Sequence, residues 1–496
     1  MNREPVQDVL VIGGGISGLG AAWRLRQAAP HLAITLVEAA GECGGKLVTE
    51  HVDGYTIEHG PDIFLARKPW ALDLCRELGL EQDIVPTNPA HAGSFVQRAG
   101  KLYPLPAGMS GLVPSRLWPL MTTRLLSPLG KARVAMEWFV PRRRGGADEA
   151  LGRFIRRRMG REMHERLMGP LLGGIYGGDV DRLSLQATFP QFHELEAEHG
   201  SFLRAAVRTG SGGRGHRLSG ATGSAFVTLR GGMQTLSAAL VEKITTGDNP
   251  VRVITSCPVE SVHLDNEWQA RATHRGAPLS FRARSVVVAT PAFVAADMLG
   301  ARSHEAAREA PGEAATTAVT EELRGIPYSS TVVVTVGFRR KDVRHPLDGY
   351  GYLVPESEGK AVRACTWSSS KIVGRAPNDR VLLRFFFGRH EDDPLLAASE
   401  KELLSHVACE LVDILDVAPG VAARPELVRI WRWPRSQPAY TMGHLDRLDR
   451  LDHATRKLPG LVLTGAAYRG VGIPDVIRQA NEAAGNVLKQ KAAHNP

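Results

Sequence analysis

VLVIGGGISGLGAAWRLRQAAPHLAITLVEAAGECGGK, residues Val9 to Lys46, begins with an apolar run, Val9 to Ile12, that enters Gly13-x-Gly15-x-x-Gly18 directly. An amphipathic helix follows, then a second apolar run, Ile34 to Val37, that stops on Glu38. This is a strand–turn–helix–strand unit suited to a dinucleotide. Gly13 allows the tight turn, Gly15 lets the backbone approach a pyrophosphate, and Gly18 lets helix and strand pack closely. The helix N-terminus presents unpaired N–H groups and a positive dipole end to phosphates. Glu38, twenty positions after Gly18, suits ribose hydroxyls and disfavours a 2′-phosphate.

The residues that follow separate one dinucleotide from another. Gly44-Gly45-Lys46 comes straight after the ribose acid, and Gly54-Tyr55-Thr56-Ile57-Glu58-His59-Gly60-Pro61 comes next. A second glycine pair with a basic residue is more than NAD requires. It resembles the extended signature of flavin amine-oxidase-like proteins, which implies FAD.

With 496 residues, the chain is long enough for a large core and two or three domains. Its 43% hydrophobic and 23% charged content is that of a globular protein. No basic-then-apolar leader precedes the first strand and no apolar run is long enough to span a bilayer, so a cytoplasmic protein is expected. Five scattered cysteines without a C-x-x-C point to reduced thiols rather than a disulfide frame or metal site. The net charge of +9 comes without a nucleic-acid-binding motif, so no nucleic acid partner is expected. Part of the excess lies between Pro141 and Pro170, where Leu151, Phe154, Ile155, Met159, Met163 and Leu167 recur at helical spacing among Arg153, Arg156, Arg157 and Arg161. Such a helix suits peripheral contact with an anionic membrane surface. A solvated arginine face on a core-packed helix is the competing reading.

Patterning along the chain predicts an α/β fold whose Rossmann-like nucleotide domain is assembled from discontinuous segments, 1–85, 225–300 and 425–496. Between them lie a mostly helical insertion, 86–224, and an α+β domain, 301–424. Buried strands are expected at Arg284 to Pro291 and Leu461 to Gly465, with Val259 ending a short β stretch after Val251 to Ile254. In the α+β domain, Thr331 to Phe338, Tyr350 to Val354, Ala361 to Trp367 and Val381 to Phe387 read as a mostly antiparallel sheet, covered by a helix from Pro394 to Leu415. Thr209 to Ser224, rich in Gly, Ser and Arg, reads as a surface loop.

Over nearly its whole length the chain resembles the oxygen-dependent porphyrinogen oxidases of haem synthesis. The resemblance rests on GPDIFLARK (Gly60 to Lys68), LLGGIYGGD (Leu171 to Asp179), Asp181 to Ser184, Thr188 to Pro190, Ala364 to Trp367, the Pro438 to His444 segment, and GVGIPD (Gly470 to Asp475). It is closest to bacterial members that act on coproporphyrinogen III. Gly177 stands where alanine is more usual.

The resemblance implies roles for individual residues. Gly13, Gly14, Gly15, Ile16, Ser17, Gly18, Glu38 and Ala39 would hold the ADP half of FAD. Gly45, Lys46, Gly60, Pro61, Asp62 and Ile63 would run along the ribityl chain and flavin, and Val259 would meet the adenine end. Trp433, Val471, Gly472 and Ile473 would close round the isoalloxazine. Leu171 and Gly174 match positions in the family's substrate cavity, and Lys68 matches a basic residue at its entrance; Arg67 and Lys68 are candidates for substrate carboxylates.

The chemistry so implied is six-electron oxidation of a porphyrinogen by FAD and O2, with release of H2O2. Coproporphyrinogen III is the expected substrate, with protoporphyrinogen IX also accepted. Alternatives are a protoporphyrinogen IX oxidase proper, or another oxidase or desaturase of the same architecture. No catalytic dyad or metal-spaced ligand set stands out, as expected where the cofactor carries the electrons. Hand-over to other haem-pathway enzymes and contact with the inner face of the membrane complete the expectation.

Overall fold

A computed structural model describes residues 6–106, 117–143, 145–176, 178–208, 224–301, 312–388 and 392–494. Thr209 to Gly223 and Gly177 therefore lie outside the described residues.

Strand Gln7–Ile12 is central in its sheet because both its faces are apolar. Val9 and Val11 point into one core with helices Ile16–Ala28 and Ile473–His494, while Leu10 and Ile12 point into a second core with helix Ala292–Gly300. Burial on both faces is the mark of a parallel strand. Its partners are Ile34–Val37 on one side and Ala277–Val288 on the other, both parallel to it. Arg252–Ile254 and Leu461–Leu463 extend the parallel part, and the antiparallel strands Val259–Leu264 and Trp268–His274 finish the sheet. Strands from three separated parts of the chain thus lie side by side. Val259 opens a strand rather than ending one, because the chain leaves Arg252–Ile254 through a turn at Ser256 (φ +51°) and Cys257, whose N–H donates to the Glu38 carbonyl (2.9 Å).

The second sheet runs in the order Leu427–Pro438, Tyr328–Arg339, Arg380–Phe387, Ala364–Trp367, Gly351–Leu353, Phe95–Arg98, Lys101–Pro104. Every pairing is antiparallel except Gly351–Leu353 with Phe95–Arg98. The sheet reaches outside the expected 301–424 span at both edges, since 95–104 and 427–438 contribute strands. Leu403, Val407 and Leu411 of helix Glu400–Asp413 cover one face over Val334, Val336 and Phe385. That helix starts later than Pro394 because two caps compete. Asp393 caps a single turn, Pro394–Leu396, and Ser399 Oγ then accepts from the Glu402 N–H (3.2 Å) to begin the helix proper.

The arginine-rich segment forms Leu151–Met159, and all six apolar positions named above are buried. It breaks at Gly160, whose φ of +92° favours glycine. The helix end is tied by Arg133, which donates to the carbonyls of Arg157 (2.6 Å) and Arg158 (3.1 Å). A π turn, His164–Met168, then leads into Gly169–Tyr176. Arg157 bridges Glu149 and Glu196 (2.9 and 2.8 Å), Arg156 pairs with Asp181 (2.7 Å), and the fully buried Arg158 pairs with Glu137. This is a core-packed helix with Arg156, Arg157 and Arg158 tied to acids, while Arg153 stays exposed with Glu149 3.9 Å away.

Candidate functional site

The Gly13–Gly18 turn lies between two other backbone segments. On one side, Ala289 N–H donates to Ile12 O (2.8 Å), and a Cβ on Gly13 would stand 3.1 Å from the Ala289 carbonyl and 3.2 Å from Thr290 Cγ2. On the other, Gly44 N–H donates to Gly14 O (2.9 Å), and Gly45, at φ +61°, approaches Gly15. A Cβ on Gly18 would fall 1.9 Å from Gly13 O, so only glycine fits beneath the turn. On Gly15, by contrast, a Cβ would meet nothing closer than Gly45 Cα at 3.9 Å. Space in front of Gly15 is open, as a pyrophosphate requires.

Ile16 and Ser17 start the helix behind this turn, and Gly465 lies against Ser17 Oγ. The Glu38 carboxylate is set at the turn: it accepts from Gly14 N–H (2.6 Å) and Ala40 N–H (2.8 Å), with Ala39 between. Val259 lies two residues past the Cys257–Glu38 backbone contact, at the same end of the cleft.

Two buried hydroxyls, Thr290 Oγ1 and Thr464 Oγ1, have no hydrogen-bond partner among the described residues. Each follows the carboxyl end of a parallel strand, where open α/β sheets bind their ligands. An unpaired buried hydroxyl costs about 1–3 kcal/mol, so two beside one cradle fit a group that supplies the missing partners. The glycine cradle, the two hydroxyls and Glu38 together fit the ADP half of FAD. Neither threonine stood out in the sequence reading, although both terminate strands that were legible there.

Lys46, expected beside the flavin, is exposed. Solvent reaches its side chain, yet protein crowds the ammonium enough to lower its pKa to about 8, and it donates to the Ser436 carbonyl. The Gly60–Pro61 backbone is held from behind: Arg384 donates to Gly60 O (2.8 Å), and Trp433 Nε1 donates to His59 O (2.8 Å). His59 itself is buried, stacks on Trp431 with centroids 4.2 Å apart and bonds Glu50 (3.0 Å), so its role is structural.

Asp62 faces Lys371 (2.8 Å) and Arg384 (3.6 Å); although burial opposes ionisation, those cations hold its carboxyl below the usual range. Glu58 pairs with Arg375 (3.3 Å) in the same buried region, where burial wins and its pKa is raised. Asp62 therefore anchors the loop, and Ile63 follows it half-buried. The cations of this network were not singled out from sequence because they come from the helical turn Ser368–Lys371, the loop after it and strand Arg380–Phe387, more than 300 positions away.

Loop 470–473 is pinned by its neighbours. Gly470 N–H donates to Tyr440 Oη (2.7 Å), Gln479 Nε2 donates to the carbonyls of Gly470 and Asp475 (3.1 Å each), and helix Ile473–His494 starts there. Val471 and Gly472 are half-buried and Ile473 is buried. Tyr440 is stacked on His444 at 4.1 Å, and burial holds its phenol far above the ordinary range.

Of the proposed substrate residues, Lys68 bonds both oxygens of Asp475 and is not a free cation in this structure. Arg67 is exposed. Leu171 is half-buried and Gly174 exposed on helix Gly169–Tyr176; Leu353 lies 3.9 Å from a Cβ placed on Gly174. Arg363 joins that helix to the second sheet through Gly173 O (3.0 Å).

Comparison with known proteins agrees with this geometry. The model of flavin containing amine oxidoreductases matches residues 16–488. A coproporphyrinogen III oxidase from Bacillus subtilis (strain 168) is 35% identical, covering 97% of this chain and 98% of its own. A chloroplastic protoporphyrinogen oxidase from Nicotiana tabacum is 31% identical over 97% of this chain and 85% of its own. A crystal structure from Exiguobacterium sp. 255-15 superposes with a TM-score of 0.81 at 30% identity, covering 98% of this chain and all of that one. The chain belongs to the flavin containing amine oxidoreductase family, as an FAD-dependent oxidoreductase whose relatives along nearly its full length are porphyrinogen oxidases.

Proposed function

We propose that the protein oxidises coproporphyrinogen III to coproporphyrin III, accepts protoporphyrinogen IX as well, and uses O2 as the final acceptor. Bound FAD supplies the electron sink: six hydrogens leave the macrocycle and reduce three O2 to three H2O2. The protein's own residues bind, orient and compensate charge. The Gly13–Gly18 turn, Glu38, Thr290 and Thr464 seat the nucleotide. Gly60 and Pro61, braced by Arg384 and Trp433, hold the loop along the cleft. The positive end of helix Ile473–His494 favours negative charge that develops beside loop 470–473, an effect of roughly 1 kcal/mol. Lys68 and Arg67, just past that loop's partner segment, are cations for propionates. Each charge-assisted hydrogen bond contributes about 1.5–3 kcal/mol, so a substrate with four carboxylates gains more than one with two.

The observation that carries this reading is the open space at Gly15, with two threonine hydroxyls at neighbouring strand ends unpartnered among the described residues, in a chain whose relatives are named for porphyrinogen oxidation. We further infer that the protein resides in the cytoplasm, works at the inner face of the membrane and hands its product to another haem-pathway enzyme. Steady-state rates with both porphyrinogens, aerobic and anaerobic, with porphyrin fluorescence and peroxide measured together, test the catalytic part. Flavin bleaching by benzylamine or spermine, with none by either porphyrinogen, would replace it with an amine oxidase.

A further inference from the structure

Residues 434–436 are tied to both flanks of the glycine turn. On one side, the Arg435 guanidinium lies over the Phe293 ring, 3.7 Å from its centroid. Phe293 stands in the first turn of helix Ala292–Gly300, three positions after Thr290, whose Cγ2 would be 3.2 Å from a Cβ on Gly13. On the other side, the Ser436 carbonyl accepts from the Lys46 ammonium. Lys46 follows Gly45, on which a Cβ would stand 3.1 Å from Gly15 Cα.

The backbone is strained where it carries that side chain. Arg435 has a φ of +43°, a left-handed conformation that a long L side chain rarely adopts. Its N–H donates to Ser330 Oγ (2.9 Å), where strands Tyr328–Arg339 and Leu427–Pro438 shift register between Ser329 and Thr331. The other two arginines of strand Leu427–Pro438 are engaged. Arg429 pairs with Glu50 (2.7 Å), and Arg432 donates to the carbonyls of Leu396 and Ala398 (2.9 and 2.6 Å). The Arg435 guanidinium is exposed, and among the described residues no carboxylate pairs with it or with the Lys46 ammonium.

We propose that Arg435 and Lys46 clamp the FAD diphosphate from the two sides of the glycine turn. This rests on the reading that seats the nucleotide at Gly13–Gly18, and assigns to Arg435 the tightness with which the ADP half is held. Helices Ile16–Ala28 and Ala292–Gly300 follow parallel strands and start at the same edge of the sheet, so their N-terminal N–H groups converge on this space. Helix ends supply only partial charge, whereas each phosphate carries a full one that an unpaired cation can match. With one face of the guanidinium stacked on Phe293, its in-plane N–H fork stays available to phosphate oxygens. A substrate propionate is the weaker partner, because the helix that carries Leu171 and Gly174 packs on Leu353, away from the glycine turn.

The test is calorimetric titration of the FAD-free full chain with FAD, ADP and adenosine, for the wild type, Arg435→Gly and Arg435→Lys. Glycine suits the left-handed φ, so Arg435→Gly is expected to melt no lower than the wild type as apoprotein. Its dissociation constants for FAD and ADP are expected to rise about tenfold, and that for adenosine, which has no phosphate, to stay the same. Arg435→Lys is expected to recover part of the loss, as a point charge without the fork. The gap between wild type and Arg435→Gly for ADP should narrow in high salt. Equal FAD and ADP affinity in wild type and Arg435→Gly overturns the proposal, as does an equal loss for adenosine, which would make the residue structural. A raised porphyrinogen KM in FAD-saturated Arg435→Gly, with FAD and ADP affinity unchanged, overturns it too and assigns the guanidinium to a propionate. A wild type that takes up neither FAD nor ADP would overturn the nucleotide seat itself, and this proposal with it.

Discussion

The Lys68 ammonium stands 2.6 and 2.5 Å from the two carboxylate oxygens of Asp475, 407 positions further along the chain. Lys68 precedes helix Pro69–Glu77, and Asp475 sits in the first turn of helix Ile473–His494, beside loop 470–473. The cation proposed to meet substrate is thus held by an acid in the helix turn beside that loop. A substrate propionate must compete with Asp475 for it. Lys68→Met is therefore expected to raise KM about tenfold, and more for coproporphyrinogen III than for protoporphyrinogen IX. Asp475→Asn frees the ammonium and should lower KM for the four-carboxylate substrate. A bridge with only a structural role would shift both variants in the same direction, and steady-state kinetics distinguishes the two.

Thr290 and Thr464 carry hydroxyls that nothing among the described residues satisfies. Replacing either with valine removes an unpaired buried group, so the cofactor-free protein should keep or gain up to about 1 kcal/mol of stability. FAD affinity should fall about five- to tenfold for each. Thermal melts of the apoprotein and FAD titrations read the two effects separately. Loss of apoprotein stability with unchanged affinity would assign both hydroxyls to the fold.

Gly15 and Gly18 differ in what a methyl group would meet. Gly18→Ala places Cβ against Gly13 O at 1.9 Å and should destabilise the whole domain by several kcal/mol. Gly15→Ala meets only open space and should fold normally, yet fail to retain FAD. Yellow, flavin-replete Gly15→Ala protein would show that the pyrophosphate does not pass there.

Lys46 has its pKa lowered to about 8 because burial of the ammonium disfavours its charge. If it pairs with the anionic cofactor, binding raises that pKa again. The sign follows from linkage: affinity gained through the ammonium is complete below about pH 8 and is lost as pH rises toward the raised, bound-state value. FAD dissociation constants should accordingly increase between pH 8 and 10, and Lys46→Met should bind more weakly at pH 7 with a flat profile. A flat profile in the wild type would remove Lys46 from the cofactor's charge balance.

Legibility in the sequence tracked how local each constraint was. The strands at Gln7–Ile12 and Ile34–Val37, the glycine turn and Glu38 were all readable, because each depends on neighbours within one βαβ unit. The strands of the second sheet were readable to within a few residues, but its edges were not. Phe95–Arg98 and Leu427–Pro438 joined it from segments assigned elsewhere, since pairing partners are set by tertiary packing and not by the apolar alternation of a single strand. The basic segment after Pro141 was read as a helix with an arginine face. Its six apolar positions were right, whereas of the acids that tie its arginines only Glu149 lies in the segment, and Glu137, Asp181 and Glu196 come from other stretches of chain.

By itself, the sequence determined the nucleotide fold, the flavin and the family, because glycine spacing and strand periodicity act over short range and leave few alternatives. Only the tertiary structure decided that Lys68 is bound by Asp475, that Asp62 is anchored by Lys371 and Arg384, and that Thr290 and Thr464 are left without partners. It also decided which apolar face stays outside: Leu129 and Val134 look alike in the sequence, and only packing against the rest of the helical region buries one and exposes the other. Charge pairing and burial are properties of juxtaposition, and juxtaposition across hundreds of positions is settled when the chain folds.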